Sequence, residues 1–557
     1  MAAPELSLQV LDEIFSKSTP ETIDFFGALN KAYLTMSDYG FLSESIKTKL
    51  GEKVAENVER PELTELLLDT IRFVSRDRSG AEFLMNESLV EKVLNFAGLL
   101  KRDGYPKQPE AILAALKLVN NGLLVSKKFQ KVFFKTDETK HTVIEGLKEF
   151  KKPSSAKIDW IREVCSASPE LADEIYTFYT RALFLGTSIN QRYQKLCCDD
   201  VDYVDTVLET VYPIMEKKTS ELTASEVQRA DNGLMSFFNA FCHFPTDIRQ
   251  LNESENRKAT TLFRDIILRD TELPAHIVNG AINALSVPPV LIDNAILCSN
   301  PDAPPTDAEN VNHSCMRLTE TLLKVLERNL DAVELRKAQG AEQAEIDEKY
   351  SLNAPLCQVL GRICTESKFA RRHARMRILP PLTADQVETV PDQQDTFRGK
   401  IVRIVATPTS VKEIVSEFLL ILCKRSVPRM IKYVGFGHAA GHLANMGLLG
   451  QINQRRRDSD SEDSETEEYE TVRDNVNPVT GAIYGPDHGN LFDDMTEEQK
   501  EFEAMKLVNV FGQLLETGIV KPGTIGEDGK VKEVDHVLEL IKNAKEPEEE
   551  HSDSDAD

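Results

Sequence analysis

Few side chains in this chain are spaced for covalent or metal chemistry. His438 and His442 stand four apart in GHAAGHLA, a spacing that places two imidazoles on one helical face, but no third ligand accompanies them and glycines interrupt the segment. GTIGEDGK, residues 523–530, has the glycine content of a phosphate loop, yet five residues rather than four separate its first and last glycines and no strand is predicted before it, so it reads as a turn. No HExxH, GxSxG or CxxC occurs. The expectation is a protein that is not an enzyme and needs no cofactor and no metal.

The groups suited to recognition are charged. RFVSRDRSG sets Arg72 and Arg76 one helical turn apart, so that both guanidinium groups can fork onto a carboxylate; a solvated charged face is the alternative. KFARRHARMR places Lys368, Arg371, Arg372 and Arg375 at spacings of three and four, on one predicted helical face. Ser459 and Ser464 each have an acidic residue three positions on, Glu462 and Glu467, the pattern that a casein kinase 2 type kinase reads. A phosphate adds about −1.5 to −2 charges and three strong acceptors, so a phosphorylated arm can dock on that basic face; otherwise both clusters are simply solvated.

Positioning such groups requires a large framework, and the composition supplies one. The chain has 557 residues, 41% of them hydrophobic, enough for several domains or one long repeat array. The net charge of −25 is uneven: 29 acidic and 8 basic residues lie from Asp458 onward, leaving the first 457 residues near neutrality. A near-neutral body with an acidic tail points to an interaction arm and away from nucleic acid. Nine irregularly spaced cysteines suggest reduced thiols, the N-terminus lacks a signal peptide pattern, and no apolar run is long enough to span a membrane. The expected location is cytoplasmic, and the sequon-like Asn86, Asn252 and Asn312 are expected to carry no glycan.

To about residue 450 the pattern is all-α. PELTELLLDTIRFVS, PEAILAALKLVNNGLLVS and VKEIVSEFLLILC repeat apolar residues at three and four, with prolines between segments. Apolar residues followed by Asn or Cys and a polar break recur around Asn120, Cys165, Asn239, Asn283, Cys364 and Cys423, several at steps near 40 to 47 residues, the period of armadillo and HEAT units. The step from Cys364 to Cys423 requires an insertion, placed at residues 384–396. The expected fold is therefore an armadillo/HEAT-type α-solenoid superhelix over residues 1–450. Beyond it come an acidic, phosphorylatable linker over 451–490, an amphipathic helix within 491–520 and an acidic tail over 521–557. Asn120, Asn239 and Asn283 read either as a ladder that hydrogen-bonds a bound peptide or as helix C-termini. Thr496 and Gln499 form a capping box, after which Phe502, Met505, Val508 and Phe511 follow at helical spacing; that face packs on the array or on a partner.

The run ILPPL, then VKEIVSEFLLILCKRSVPRMIKYVGFGHAAGHLANMGLLG, then EDSETEEYE, NPVTG and MTEEQKEFEAMKLVNVF resembles the synembryn family, also called resistance to inhibitors of cholinesterase, most closely over residues 356–515. The resemblance implies a cytosolic chaperone and guanine-nucleotide exchange factor for heterotrimeric G-protein α subunits, GDP-bound or nucleotide-free, recruited in some settings to the cell cortex. It implies an armadillo/HEAT groove that takes the Gα C-terminal helix, with Arg72, Arg76 and Asn120 at positions that meet that peptide. It further implies casein kinase 2 sites at Ser459 and Ser464, a basic face of Lys368, Arg371, Arg372 and Arg375 that receives them, and a helix near 496–515 that contacts the Gα nucleotide-binding domain. A neuronal calcium sensor is a further partner implied by the family. Lys368 stands where the family usually has arginine, giving a point charge rather than a fork. A peptide-binding adaptor with no effect on nucleotide exchange is the alternative.

Overall fold

The computed structural model describes residues 4–78, 80–100, 108–152, 158–242, 249–292, 308–452, 466–484, 496, 523–525 and 531–533, with backbone alone for 308–315 and the last two segments. Two compact units divide the chain, Met1–Pro301 and Asp302–Asp557. Among the described residues almost every element is a helix, and no helix is long and apolar enough to cross a membrane.

In the first unit six helices stack side by side in chain order: Thr19–Tyr33, Thr64–Val74, Pro109–Val125, Pro169–Ile189, Ala224–Phe241 and Ala275–Ser286, each packed on the next. A second set backs them, Glu44–Asn57 on Thr64–Val74, Glu87–Phe96 on Pro109–Val125, Tyr203–Val211 on Ala224–Phe241 and Glu253–Leu268 on Ala275–Ser286. The apolar stripe of one helix is too wide for a single neighbour, so each buries its residues against flanking pairs. Leu67, Leu68, Ile71 and Val74 are fully buried in this way, as are Leu116, Leu118, Val119 and Leu123.

Side-chain amides and hydroxyls cross the interfaces between stacked helices. Thr70 donates to Asn30 Oδ1 at 2.7 Å, Asn121 Nδ2 to the Arg72 carbonyl at 3.3 Å, and Asn232 Nδ2 to Thr180 Oγ1 at 3.0 Å. Buried polar groups need such partners, and these bonds fix the register of one helix against the next.

A local motif recurs between the stacked helices. Gly122 and Gly186 sit near helix ends; Ser126 and Asn190 then cap short helices, accepting from Phe129 N and Tyr193 N; Gln130 and Gln194 reach back to the carbonyls of Leu123 and Thr187. The Phe129 and Tyr193 rings lie where a Cβ on Gly122 or Gly186 would stand, 2.4 and 2.6 Å away. Because this motif repeats at 64 residues, the expected step from Asn120 to Cys165 is corrected. Cys165 lies in the short connecting helix Asp159–Ala167, and an insertion separates the third and fourth stacked helices.

The second unit opens with the long helix Ala308–Ala338, on which Gln343–Ser351, Asn353–Glu366 and Lys368–Ile378 pack. Phe397–Ala406 and Lys412–Leu422 follow, then Val427–Val434 and Phe436–Asn445. Residues 384–396 do form an interruption here, built of the 3₁₀ turns Asp385–Val387 and Pro391–Gln393. The strands Gly523–Ile525 and Val531–Glu533 pair antiparallel, so 526–530 connects a hairpin and GTIGEDGK leads into a strand rather than a phosphate-binding helix.

Seven cysteines among the described residues form no disulfide; burial pushes Cys198, Cys357 and Cys364 up to about 12, as suits unreactive thiols. Asn86 and Asn252 are helix N-caps, accepting from Leu89 N and Glu255 N.

Candidate functional site

All five residues expected to meet a peptide belong to the stacked set of the first unit: Arg72 on Thr64–Val74, Arg76 just beyond it, Asn120 on Pro109–Val125, Asn239 on Ala224–Phe241 and Asn283 on Ala275–Ser286. None of the asparagines is a cap; the C-caps are Ser126, Cys242 and Val287. Asn120 is buried and its Nδ2 donates to the Leu116 carbonyl at 2.8 Å and across to the Phe178 carbonyl at 3.4 Å, while its Oδ1 has no hydrogen-bond partner. Asn239 is half-buried, and its Nδ2 is buried without a partner. Asn283 is half-buried.

The two arginines flank one ring, their guanidinium carbons lying 4.3 and 4.7 Å from the Phe73 centroid. Arg72 Nε also pairs with Asp69 Oδ1 at 2.7 Å. Arg76 has a second task, since its Nη1 donates to the carbonyls of Leu34 at 2.7 Å and Met36 at 3.1 Å, beyond the end of Thr19–Tyr33. Cations suit that position, where helix carbonyls lack intrahelical partners.

Sequence reading missed Asp231, two turns before Asn239 on the same face of its helix. Burial pushes its carboxyl above the usual range, with His276 opposing. A carboxyl pKa raised in the folded state contributes stability at low pH that is lost as pH rises through the folded value. Asp231→Asn should therefore raise the melting midpoint at neutral pH and flatten its decline as pH rises above the ordinary carboxylate range, as followed by thermal denaturation.

The basic helix Lys368–Ile378 does not present its four cations alike. Lys368 and Arg372 are exposed, with the Lys368 ammonium 5.1 Å over Phe369. Arg371 is half-buried and donates to the Cys364 carbonyl at 3.2 Å. Arg375 is 3% exposed, and its Nη1 lies 3.3 Å from the Tyr433 hydroxyl. The expectation of one shared outer face is thus corrected: at the helix spacing Arg375 turns inward. Around it the structure gathers cations that sequence reading did not associate. Arg398, 3% exposed, is pushed by burial down to about 10 against the pull of Tyr433 and Tyr469, and the Lys432 ammonium lies 4.6 Å over the Tyr469 ring. Tyr469 belongs to the acidic arm, on the helix Glu467–Val472, whose cap Thr466 donates to the Leu382 carbonyl. The arm therefore returns to the second unit beside this cluster.

Ser459, Ser464, Phe502, Met505, Val508 and Phe511 lie outside the described residues. His442 Nδ1 is 2.9 Å from Glu413 and His438 faces Asp392 at 3.7 Å, so the two imidazoles have different partners. Among the described residues no group of metal-ligating side chains forms.

A family model described as guanine nucleotide exchange factor synembryn matches residues 67–530. The chain is similar to the chaperone ric-8 of Caenorhabditis elegans, 42% identical over 569 residues covering 99% of each chain, and to that of Caenorhabditis briggsae, 41% identical over 573 residues covering all of both. It is 29% identical over 544 residues to the chaperone Ric-8A of Xenopus tropicalis, covering 91% of this chain and 92% of that one.

Proposed function

Since this chain belongs to the synembryn family, we propose that it is a guanine-nucleotide exchange factor and folding chaperone for heterotrimeric G-protein α subunits. The observation that carries this reading is the match over residues 67–530, which takes in all but the first of the stacked helices, the basic cluster and the arm. No catalytic side chain is required. An armadillo/HEAT superhelix takes the C-terminal helix of Gα along the layer bearing Arg72, Arg76, Asn120, Asn239 and Asn283. Arg72 and Arg76 meet its terminal carboxylate, and the half-buried Asn239 and Asn283 meet its backbone.

Withdrawing that helix from the nucleotide-binding core loosens the guanine site, and GDP leaves. The complex holds nucleotide-free or newly made Gα until GTP favours the closed state. Exchange is then a difference in binding: this protein favours the open state of its partner and GTP the closed one. The helix at 496–515 uses Phe502, Met505, Val508 and Phe511 against the nucleotide-binding domain. Ser459 and Ser464, phosphorylated by a casein kinase 2 type kinase, dock on Lys368, Arg371 and Arg372, with the buried Arg375, Arg398 and Lys432 adding to the positive field. A neuronal calcium sensor competing for the groove, and action in the cytoplasm or at the cell cortex, belong to the same reading.

The test is GDP release from purified inhibitory-class and q-class Gα, with this protein unmodified and phosphorylated. Acceleration that ends when GTP dissolves the complex is expected; tight binding with unchanged release would leave a chaperone or peptide adaptor. Within the groove, Arg72→Ala should weaken binding of a Gα C-terminal peptide by about 1.5–3 kcal/mol, the value of a hydrogen bond to a charged group, with little change in melting. Arg76→Ala should lower both affinity and melting midpoint, because it also removes the cation from the Leu34 and Met36 carbonyls. Calorimetric titration and a melting curve on each variant separate the two.

A further inference from the structure

Two large apolar side chains stand in solvent beside the arginine pair: Leu34, 57% exposed, and Phe41, 61% exposed, in the segment 34–42 that follows the first stacked helix. A single exposed leucine needs no explanation, but this segment is shaped around the guanidinium of Arg76. Arg76 Nη1 donates to the Leu34 and Met36 carbonyls, and the Tyr39 hydroxyl donates to the Tyr33 carbonyl at 3.0 Å and to that of Met36 at 3.3 Å. Guanidinium and phenol thus share the Met36 carbonyl. Burial raises the Tyr39 phenol above its ordinary range, with Arg76 and Arg72 opposing, so both charges reach that side chain. Leu42 N closes a turn on the Tyr39 carbonyl at 3.0 Å. The Phe41 ring stands on the buried Tyr33 and Tyr39 rings, centroids 6.3 and 6.1 Å away. A ring already seated on two others loses little freedom when a ligand covers it. Among the described residues, Arg76 Nη2 and both Nη atoms of Arg72 have no acceptor.

We propose that Leu34 and Phe41 form a shelf for the side chain of the partner's last residue, so that this protein selects Gα chains ending in a large apolar residue. The proposal rests on the reading that Arg72 and Arg76 hold the terminal carboxylate. In a C-terminal residue the carboxylate and the side chain leave the same Cα. A carboxylate forked by the arginines therefore brings that side chain to the adjoining surface, and there the surface is apolar and preformed. A terminal alanine leaves the shelf wet, and a terminal acidic residue sets a second carboxylate against the Phe41 ring, which offers it no donor.

The full chain is titrated with synthetic peptides of a Gα C-terminal helix that differ only in their end: phenylalanine, alanine, or phenylalanine amide. The parent should bind the phenylalanine end about tenfold more tightly than the alanine end. Phe41→Ala and Leu34→Ala should each weaken the phenylalanine peptide about threefold and leave the alanine peptide unchanged. The double variant should bind the two alike. Both side chains are exposed, so melting curves should match the parent, and Leu34→Ala changes no ring contact. Amidation should weaken the phenylalanine peptide in the parent and in every variant, because the arginines remain. A parent without preference for phenylalanine, or a double variant that keeps the preference, overturns the proposal; so do equal losses on both peptides. In each of these cases a penalty for amidation would leave the carboxylate reading of the arginines intact. Conversely, amidation without effect, beside a preference that vanishes in the double variant, supports the shelf and removes the carboxylate from Arg72 and Arg76. No binding of any peptide by the parent overturns the groove reading and the shelf together.

Discussion

A chain ending at residue 490 is expected to bind the Gα C-terminal peptide as the full chain does and to lose most of its exchange activity, tenfold or more. The residues proposed for the groove all precede residue 301 and belong to a unit whose stacked helices bury their own core. The same fragment keeps the strap 466–484, whose Pro478 and Val479 carbonyls accept from Phe436 N and Gly437 N, so its melting curve should match the parent. The activity lost is the part spent on holding the partner's open state beyond the grip on its tail; each tenfold in rate corresponds to about 1.4 kcal/mol of that preference. A fragment ending at 457 should show the same loss with an added one. It lacks Tyr469, whose burial is worth roughly 2 kcal/mol, and it leaves Phe436 N and Gly437 N without the Pro478 and Val479 carbonyls. Comparing the two by GDP release and by melting separates the exchange element from the strap. Undiminished exchange by the 490 fragment would sink the role given to Phe502, Met505, Val508 and Phe511.

Helices were legible where a single face carries the apolar residues, as in TELLLDTIRFV and KEIVSEFLLIL, because a three-and-four pattern has no alternative reading as a strand. The phase of the repeat was not. Asn120 and Cys165 share a local texture of apolar residues before a polar break, but texture is common to any helix end. The signal that does mark equivalent positions is the glycine, cap, aromatic and glutamine series at Gly122, Ser126, Phe129 and Gln130, repeated at Gly186, Asn190, Tyr193 and Gln194. It is interpretable only once a glycine is known to receive a ring.

The basic helix was legible as charge and misread as a surface. Its spacing places Arg371 and Arg375 together, but nothing in a one-dimensional pattern shows that Tyr433 waits behind them. Arg398 was invisible for the same reason, one of two arginines in FRGKIVRIV, which folding buries beside Tyr433 and Tyr469. Docking of NPVTG is carried by backbone carbonyls and amides, so its only trace in the sequence is the glycines that permit close approach.

Charge reversal at the basic helix should therefore give two different results depending on position. Arg372→Glu and Lys368→Glu alter exposed side chains and should leave melting within about 0.5 kcal/mol, the usual scale for exposed substitutions. If phosphorylated Ser459 and Ser464 dock there, these variants should reduce exchange only in the phosphorylated protein, matching Ser459→Ala with Ser464→Ala. Arg375→Glu instead places a carboxylate in a 3% exposed site beside Tyr433 and removes the guanidinium from a packed position. Replacing one buried charge by its opposite is expected to cost about 3–5 kcal/mol, enough to lower the melting midpoint by several degrees whatever the state of the serines. A loss of exchange by Arg375→Glu thus says nothing about docking unless Arg372→Glu shares it. Melting and GDP release, each measured with and without phosphorylation, decide between them. Equal activity of the phosphorylated Arg372→Glu protein and its parent would remove the exposed half of the basic face from the docking site and leave only the half-buried Arg371 to receive the phosphates.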